Sequence, residues 1–304
     1  MSAGLIASLI TALCKAGSDV VYKWVSKSVP HDDVLTLMLR LVEALLAIAI
    51  LLIGGLLFSG SLVLPVAFLN PVFWSISIAS AVLSGLGLFF TFKALRTSDV
   101  SLVSPMTQLT PLILLVTSPI MIGESLTTAG VLGVVGIVFG SYAMSLGSKD
   151  NTSANPFRSF ARLFSDRGVQ FALLASLLYG FSSNLDKMGV LATSPVWWIA
   201  IQALMMSLPV YLWMRFSSLR SHLVLTRRQF SYSILPGITS GTGSIVQMIA
   251  ISIWPVPYVI AVKRLSALVS VVSGAVLFKE ENFFWRLIGA LIMVLSTIAI
   301  ILYG

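Results

Sequence analysis

The sequence predicts an all-α polytopic membrane protein: ten transmembrane helices arranged as two inverted five-helix repeats. Three observations predict it. Of 304 residues, 57% are hydrophobic and only 10% are charged, whereas soluble domains carry roughly 25% charged residues. The apolar residues also fall into ten stretches, each close to the roughly 20 residues that cross a hydrocarbon core. Finally, the halves repeat. An ungapped shift of 156 positions carries Ser84, Gly85 and Gly87 onto Ser240, Gly241 and Gly243, Glu124 onto Glu280, and Gly133 onto Gly289.

The first stretch, 3–23, has no basic start and carries Lys15 and Asp19 where a targeting peptide would stay apolar. It reads as a first membrane helix, not a cleaved leader. Stretches 34–57, 72–94, 99–120 and 127–146 complete a first repeat over residues 1–147. A polar, basic connection follows over 148–168, with phenylalanines spaced as in a short interfacial helix. The second repeat, 169–304, holds stretches 169–189, 195–215, 231–253, 257–278 and 283–302. Five crossings are an odd number, so the second copy enters the membrane upside down. Inverted repeats around a central site are the usual construction of alternating-access transporters.

Lys and Arg gather at the odd-numbered connections, among them Lys93, Arg96, Arg158, Arg162, Arg227 and Arg228, with Lys187 the exception. The positive-inside rule then places both termini outside. Net charge is +8, but no basic run interleaves with aromatics in a polar setting, so nucleic acid is not an expected partner. The single cysteine, Cys14, supports no disulfide framework, and His31 and His222 form no metal cluster. No nucleophile–base–acid order suggests an enzyme, and no cofactor is implied.

The candidate site begins with Lys263 and Arg264, adjacent cations about 9 Å into the ninth stretch at 1.5 Å per residue. A charge in hydrocarbon costs at least ~3 kcal/mol on insertion scales. An anionic ligand, an internal ion pair or headgroup anchoring are the possible compensations. As a pair, a planar fork and a mobile point charge suit an anion. Their repeat partners are Thr107 and Gln108, bracketed by Pro105 and Pro111 in a segment expected to kink. One side of the pseudo-symmetric site is thus neutral and the other cationic. Tyr179 and Asn184 in the polar run YGFSSN, Gln247 in the eighth stretch, and Tyr258 are further substrate-facing candidates. For such residues interhelical bonding or an aromatic belt is the plainer alternative.

Asp19, Glu43 and Lys15 are candidates for proton coupling or counter-charge. Lys15 with Asp19, and Arg40 with Glu43, also suffice as local pairs one turn apart. The SGLG and SGTG stretches are read as sites of close helix approach or loosened backbone. Glu124 and Glu280 are read as structural connectors, with Thr127 and Asn282 as helix caps.

With the five-plus-five repeat, the Lys-ending first helices GSDVVYK and FSSNLDK, and the endings MIGESLTTAGVLGVVG and LFKEENFFWRLIGALIMV, the chain resembles the drug/metabolite transporter superfamily in its ten-span, EamA-like form. The resemblance covers almost the whole chain. It implies transport of amino acids, metabolites, nucleotide sugars or drugs, and both termini in the cytoplasm, opposite to the charge count. VKRLSALVS, Val262 to Ser270, is similar to the ninth-span segment of plastid sugar-phosphate/phosphate translocators, in which the Lys-Arg pair holds phosphate. Those carriers have a further lysine where this chain has Thr107, so a carboxylate or a single phosphate suits it better than a highly charged ligand.

The expected function is alternating-access transport of a small organic anion or zwitterion, a carboxylate or mono-phosphorylated metabolite. The alternatives are a proton-coupled amino-acid or drug efflux carrier and, in another class, a lipid-linked headgroup flippase or membrane scaffold. Membrane lipid and a small-molecule substrate are the expected partners, in a monomer or homodimer. The expected location is a bacterial or archaeal cell membrane or an organelle membrane.

Overall fold

The structure is a computed structural model and describes residues 2–26, 32–54, 64–98, 103, 106–146, 166–216, 227–266 and 283–303. It is all-α. Ten α-helices form among the described residues: α1 (Ser2–Ser26), α2 (Asp32–Gly54), α3 (Pro71–Thr97), α4 (Thr110–Ile122), α5 (Thr128–Leu146), α6 (Arg167–Ala192), α7 (Pro195–Phe216), α8 (Arg227–Ile253), α9 (Val256–Lys263) and α10 (Phe283–Tyr303). A short 3-10 turn, Val66–Leu69, leads into α3. Each apolar stretch of the sequence overlaps one helix. Two segments are by themselves long and apolar enough to cross a bilayer, Pro71–Thr97 and Ser233–Ile253, and five shorter apolar helical stretches accompany them. Most of the central connection, the later part of the ninth stretch, Glu280, Asn282, His31, His222 and the side chain of Asp19 lie outside the described residues.

The fourth stretch is helical at Met106 and Thr107, is interrupted at Gln108 and Leu109, and resumes as α4. Pro111 has no N–H to donate, and the backbone turns through Gln108 and Leu109, with the Leu109 amide bonded to the Met106 carbonyl at 3.2 Å. The helix ends at Gly123, whose φ of 67° is the left-handed conformation that closes helices, its amide reaching the Pro119 carbonyl at 3.1 Å.

The chain divides into two compact units. The first comprises Met1–Leu5, Leu83–Asn184 and Trp254–Gly304. Within it α5 packs along α10, and α9 against α4 and α5. Small residues permit the α5–α10 approach. A Cβ added to Gly133 would lie 2.8 Å from the Ser296 carbonyl oxygen, and one on Gly140 2.7 Å from that of Gly289. These are backbone neighbours, which a rotamer change cannot move aside.

At the entry to α6, Asp166 caps the helix. Its carboxylate accepts the Val169 amide at 2.9 Å and the Ser98 hydroxyl at 2.5 Å. The Ser98 hydroxyl, followed by the Val169 and Gly168 amides, holds this carboxyl below its ordinary range, outweighing a small opposing effect of burial.

The second unit comprises Ile6–Val82 and Leu185–Ile253. There α2 packs against α7 and α8. Gly237 of α8 faces Val42, and Gly241 faces Leu46 and Glu43, which is the close-approach reading of SGTG. The Arg40–Glu43 pair forms as expected, at 2.8 Å, with the glutamate side chain only 3% exposed. Gln202 donates to the Ser77 carbonyl at 3.1 Å. Phe68, Phe73, Trp74, Trp197 and Trp198 gather where α3 and α7 begin, with the Phe68–Trp197 rings edge-on at 5.3 Å.

Candidate functional site

The first unit brings together several of the residues singled out in the sequence. In a regular α-helix the Thr107 carbonyl would accept the amide of residue 111. That residue is proline, so the oxygen is left without its helical partner. Two donors take it instead: Arg264 Nη2 at 3.0 Å and the Thr110 hydroxyl at 3.2 Å. Arg264 follows α9 and Thr107 precedes α4. The bond joins positions 157 residues apart that are neighbours in the repeat alignment.

The rest of the guanidinium is not fully satisfied. Among the described residues, buried Arg264 Nε has no hydrogen-bond partner, and neither has Oε1 of Gln108, the residue following Thr107. A buried polar group left unmatched costs about 1–3 kcal/mol, more when charged. An orphan donor and an orphan acceptor thus occur around one kinked segment. Lys263, half-buried, ends α9 one residue before Arg264. The Tyr179 ring packs against Gly87, where an added Cβ would stand 3.0 Å from the ring. This is the role of the second glycine of SGLG. Among the described residues nothing lies within 4 Å of such a Cβ on Gly85.

Asn184 is 0% exposed and spends its carboxamide on α4. It accepts the Ser118 hydroxyl at 2.6 Å and donates to Thr117 Oγ1 at 2.9 Å and Met121 Sδ at 3.4 Å. Tyr258 is also buried, 1% exposed, and its hydroxyl accepts the Thr127 amide at 3.0 Å. Thr127 in turn caps α5 through the Gly130 amide at 3.0 Å, as its place in the sequence suggested.

The remaining candidates belong to the second unit. Gln247 is half-buried on α8, Lys15 is exposed on α1, and Glu43 is held by Arg40. Asp186, not chosen from the sequence, accepts the Ser80 hydroxyl at 2.6 Å and the Trp198 indole N–H at 3.2 Å. A carboxylate inside an apolar stretch was the available signal. The engagement of Glu124 with α9 was equally unforeseen: both of its oxygens accept the Val256 amide, at 3.1 and 3.0 Å.

Among the described residues no three His, Cys, Asp or Glu side chains are grouped to hold a metal ion. No curated protein matched the chain. The fold is that of a solved protein crystal structure with TM-score 0.76 at 16% identity, the alignment covering 98% of this chain and 96% of the other. The model of the EamA-like transporter family matches residues 2–146 and 166–302. With nearly its whole length matched, the chain belongs to the EamA-like transporter family, integral membrane proteins that carry solutes and are not enzymes.

Proposed function

We propose that this protein is a secondary transporter that crosses the membrane ten times as two inverted five-helix repeats, residues 1–147 and 169–304, and moves a small organic anion or zwitterion by alternating access. The single observation that carries the substrate reading is the buried Nε of Arg264, which has no hydrogen-bond partner among the described residues. A carboxylate or phosphate oxygen supplies the acceptor that this donor lacks, in a charge-assisted bond. The orphan Gln108 Oε1 suits a ligand that also offers a donor, as a zwitterion or hydroxylated anion does. Lys263 beside Arg264 forms the cationic side of the site, and Thr107 with Tyr179 its neutral surroundings.

The repeat reading is supported by helix pairing inside each unit. α4 packs on α9, α5 on α10 and α2 on α7. In each case a helix meets its counterpart five places later, as at a pseudo-twofold axis. The family match also falls in two segments either side of the central connection.

Arg264 then has two tasks. Without ligand it ties α9 to the kink of α4 through the Thr107 carbonyl. With ligand it presents Nε, and the bond to Thr107 keeps the fork oriented. Glu43 already faces Arg40, which weighs against its serving as the counter-charge of Lys263 in an efflux carrier.

The test is a thermal-shift screen of the purified protein in detergent, comparing phosphorylated metabolites, carboxylates, amino acids and cationic drugs. A ligand of the folded state at 100 times its Kd adds about 2.7 kcal/mol of apparent stability. Stabilisation by carboxylates or phosphates, lost in Lys263→Ala and Arg264→Ala, is the expected result. Equal stabilisation in both variants, or stabilisation only by cations, overturns the reading.

A further inference from the structure

We infer that Glu124 and Tyr258 are positioning residues for Arg264, holding α9 at its far end so that the guanidinium is presented at a fixed depth; this rests on the reading of Arg264 as the anion contact. The start of α9 is poor in the groups that normally anchor a helix. Pro255 stands at the N-cap with no side-chain cap, and Pro255 and Pro257 have no N–H. Of residues 255–257 only Val256 has an amide hydrogen to offer. Both oxygens of Glu124 take it, from the connector between α4 and α5.

The return contact comes two residues later. The Tyr258 hydroxyl accepts the Thr127 amide at 3.0 Å, with Thr127 Oγ1 at 3.5 Å, and fills the space where Gly130 lacks a side chain. The connector thus gives an acceptor to α9 and receives one from it. Trp254 meets the Tyr258 ring edge-on at 5.6 Å.

Between this clamp and Arg264 lies a rigid link. Residues Val256–Val262 are all buried, and eight helical residues span about 12 Å. α9 lies along α4, so it is held to the kink before α4 by Arg264 and to the connector after α4 by Glu124 and Tyr258. A helix tied at one end can turn or slide; tied at both it cannot. Misplacing the Arg264 fork by a fraction of an ångström degrades a directional bond. Glu124 therefore acts on the ligand without touching it, a role its connector position in the sequence concealed.

The test measures binding of two probes, inorganic phosphate and pyruvate, to the full chain in detergent by calorimetry. The variants are Arg264→Lys, Glu124→Ala, Glu124→Gln, Tyr258→Phe and the combinations with Arg264→Lys. Glu124→Ala and Tyr258→Phe are expected to weaken binding on the order of tenfold, and Glu124→Gln, which keeps an acceptor for Val256, to restore most of it. In the Arg264→Lys background the same changes are expected to cost almost nothing further, because the group they position has gone. Arg264→Lys weakening binding while Glu124→Ala and Tyr258→Phe do not, or losses that persist undiminished beside Arg264→Lys, overturns the positioning role alone. No loss in Arg264→Lys, or no binding of either probe by the native chain, overturns the anion reading and this inference with it. Where Glu124→Ala fails to fold, Tyr258→Phe carries the test, since it leaves the amide and hydroxyl of exposed Thr127 to be solvated.

Discussion

Replacing Asn184 by alanine removes three bonds between α6 and α4: from Ser118 Oγ, to Thr117 Oγ1 and to Met121 Sδ. Interhelical polar bonds in membranes average about 0.6 kcal/mol each, so the three together contribute about 2 kcal/mol. The groups left behind limit the damage. Thr117 already donates to the Ile113 carbonyl at 3.0 Å, and buried Ser118 can turn to the carbonyl four residues back. No orphan penalty is therefore added. At about 2–4 °C per kcal/mol for a large domain, the apparent melting temperature of ligand-free protein in detergent falls by about 4–8 °C. A Ser118→Ala partner completes a double-mutant cycle in which the paired loss is smaller than the sum of the single losses. A ligand-free melting temperature unchanged by Asn184→Ala refutes the assignment of these bonds to helix docking and returns Asn184 to the substrate.

Glycines in similar contexts are expected to behave oppositely. Gly140→Ala drives a methyl into the Gly289 carbonyl and costs about 1–3 kcal/mol by overpacking, whereas Gly85→Ala meets open space and stabilises α3 by about 0.5–1 kcal/mol; melting of the purified variants compares them. Arg40→Ala strands the nearly buried Glu43 at a cost of about 3–5 kcal/mol, and adding Glu43→Gln recovers much of it in the same assay. Asp166 has a lowered folded pKa, so its contribution is complete above the ordinary carboxylate range and is lost as pH falls through the folded value. Asp166→Ala accordingly costs about 1 kcal/mol at neutral pH and progressively less below about pH 4, while Asp166→Asn keeps the cap without the acid dependence. Melting of the three proteins across pH tests this; equal pH profiles refute it.

The local features of this protein were legible in its sequence because their causes lie within a few residues. Apolar stretches located the helices, and two prolines announced the irregular entry to α4. Arg40 and Glu43 stand three residues apart on one helix and pair there; Thr127 sits where a cap belongs. Asp166 is equally legible as an Asp at the entry to a helix, although it stands three residues before the apolar stretch that begins at 169. The partners of Arg264, Asn184, Glu124 and Tyr258 were of another kind, with Thr107 157 positions from Arg264 and Val256 132 from Glu124. A helix satisfies its own backbone with neighbours along the chain, so composition and spacing alone determined where helices form. Which carbonyl a proline frees for which guanidinium depends on how two finished helices pack, and that was decided only when distant side chains competed for the same buried positions in the tertiary structure.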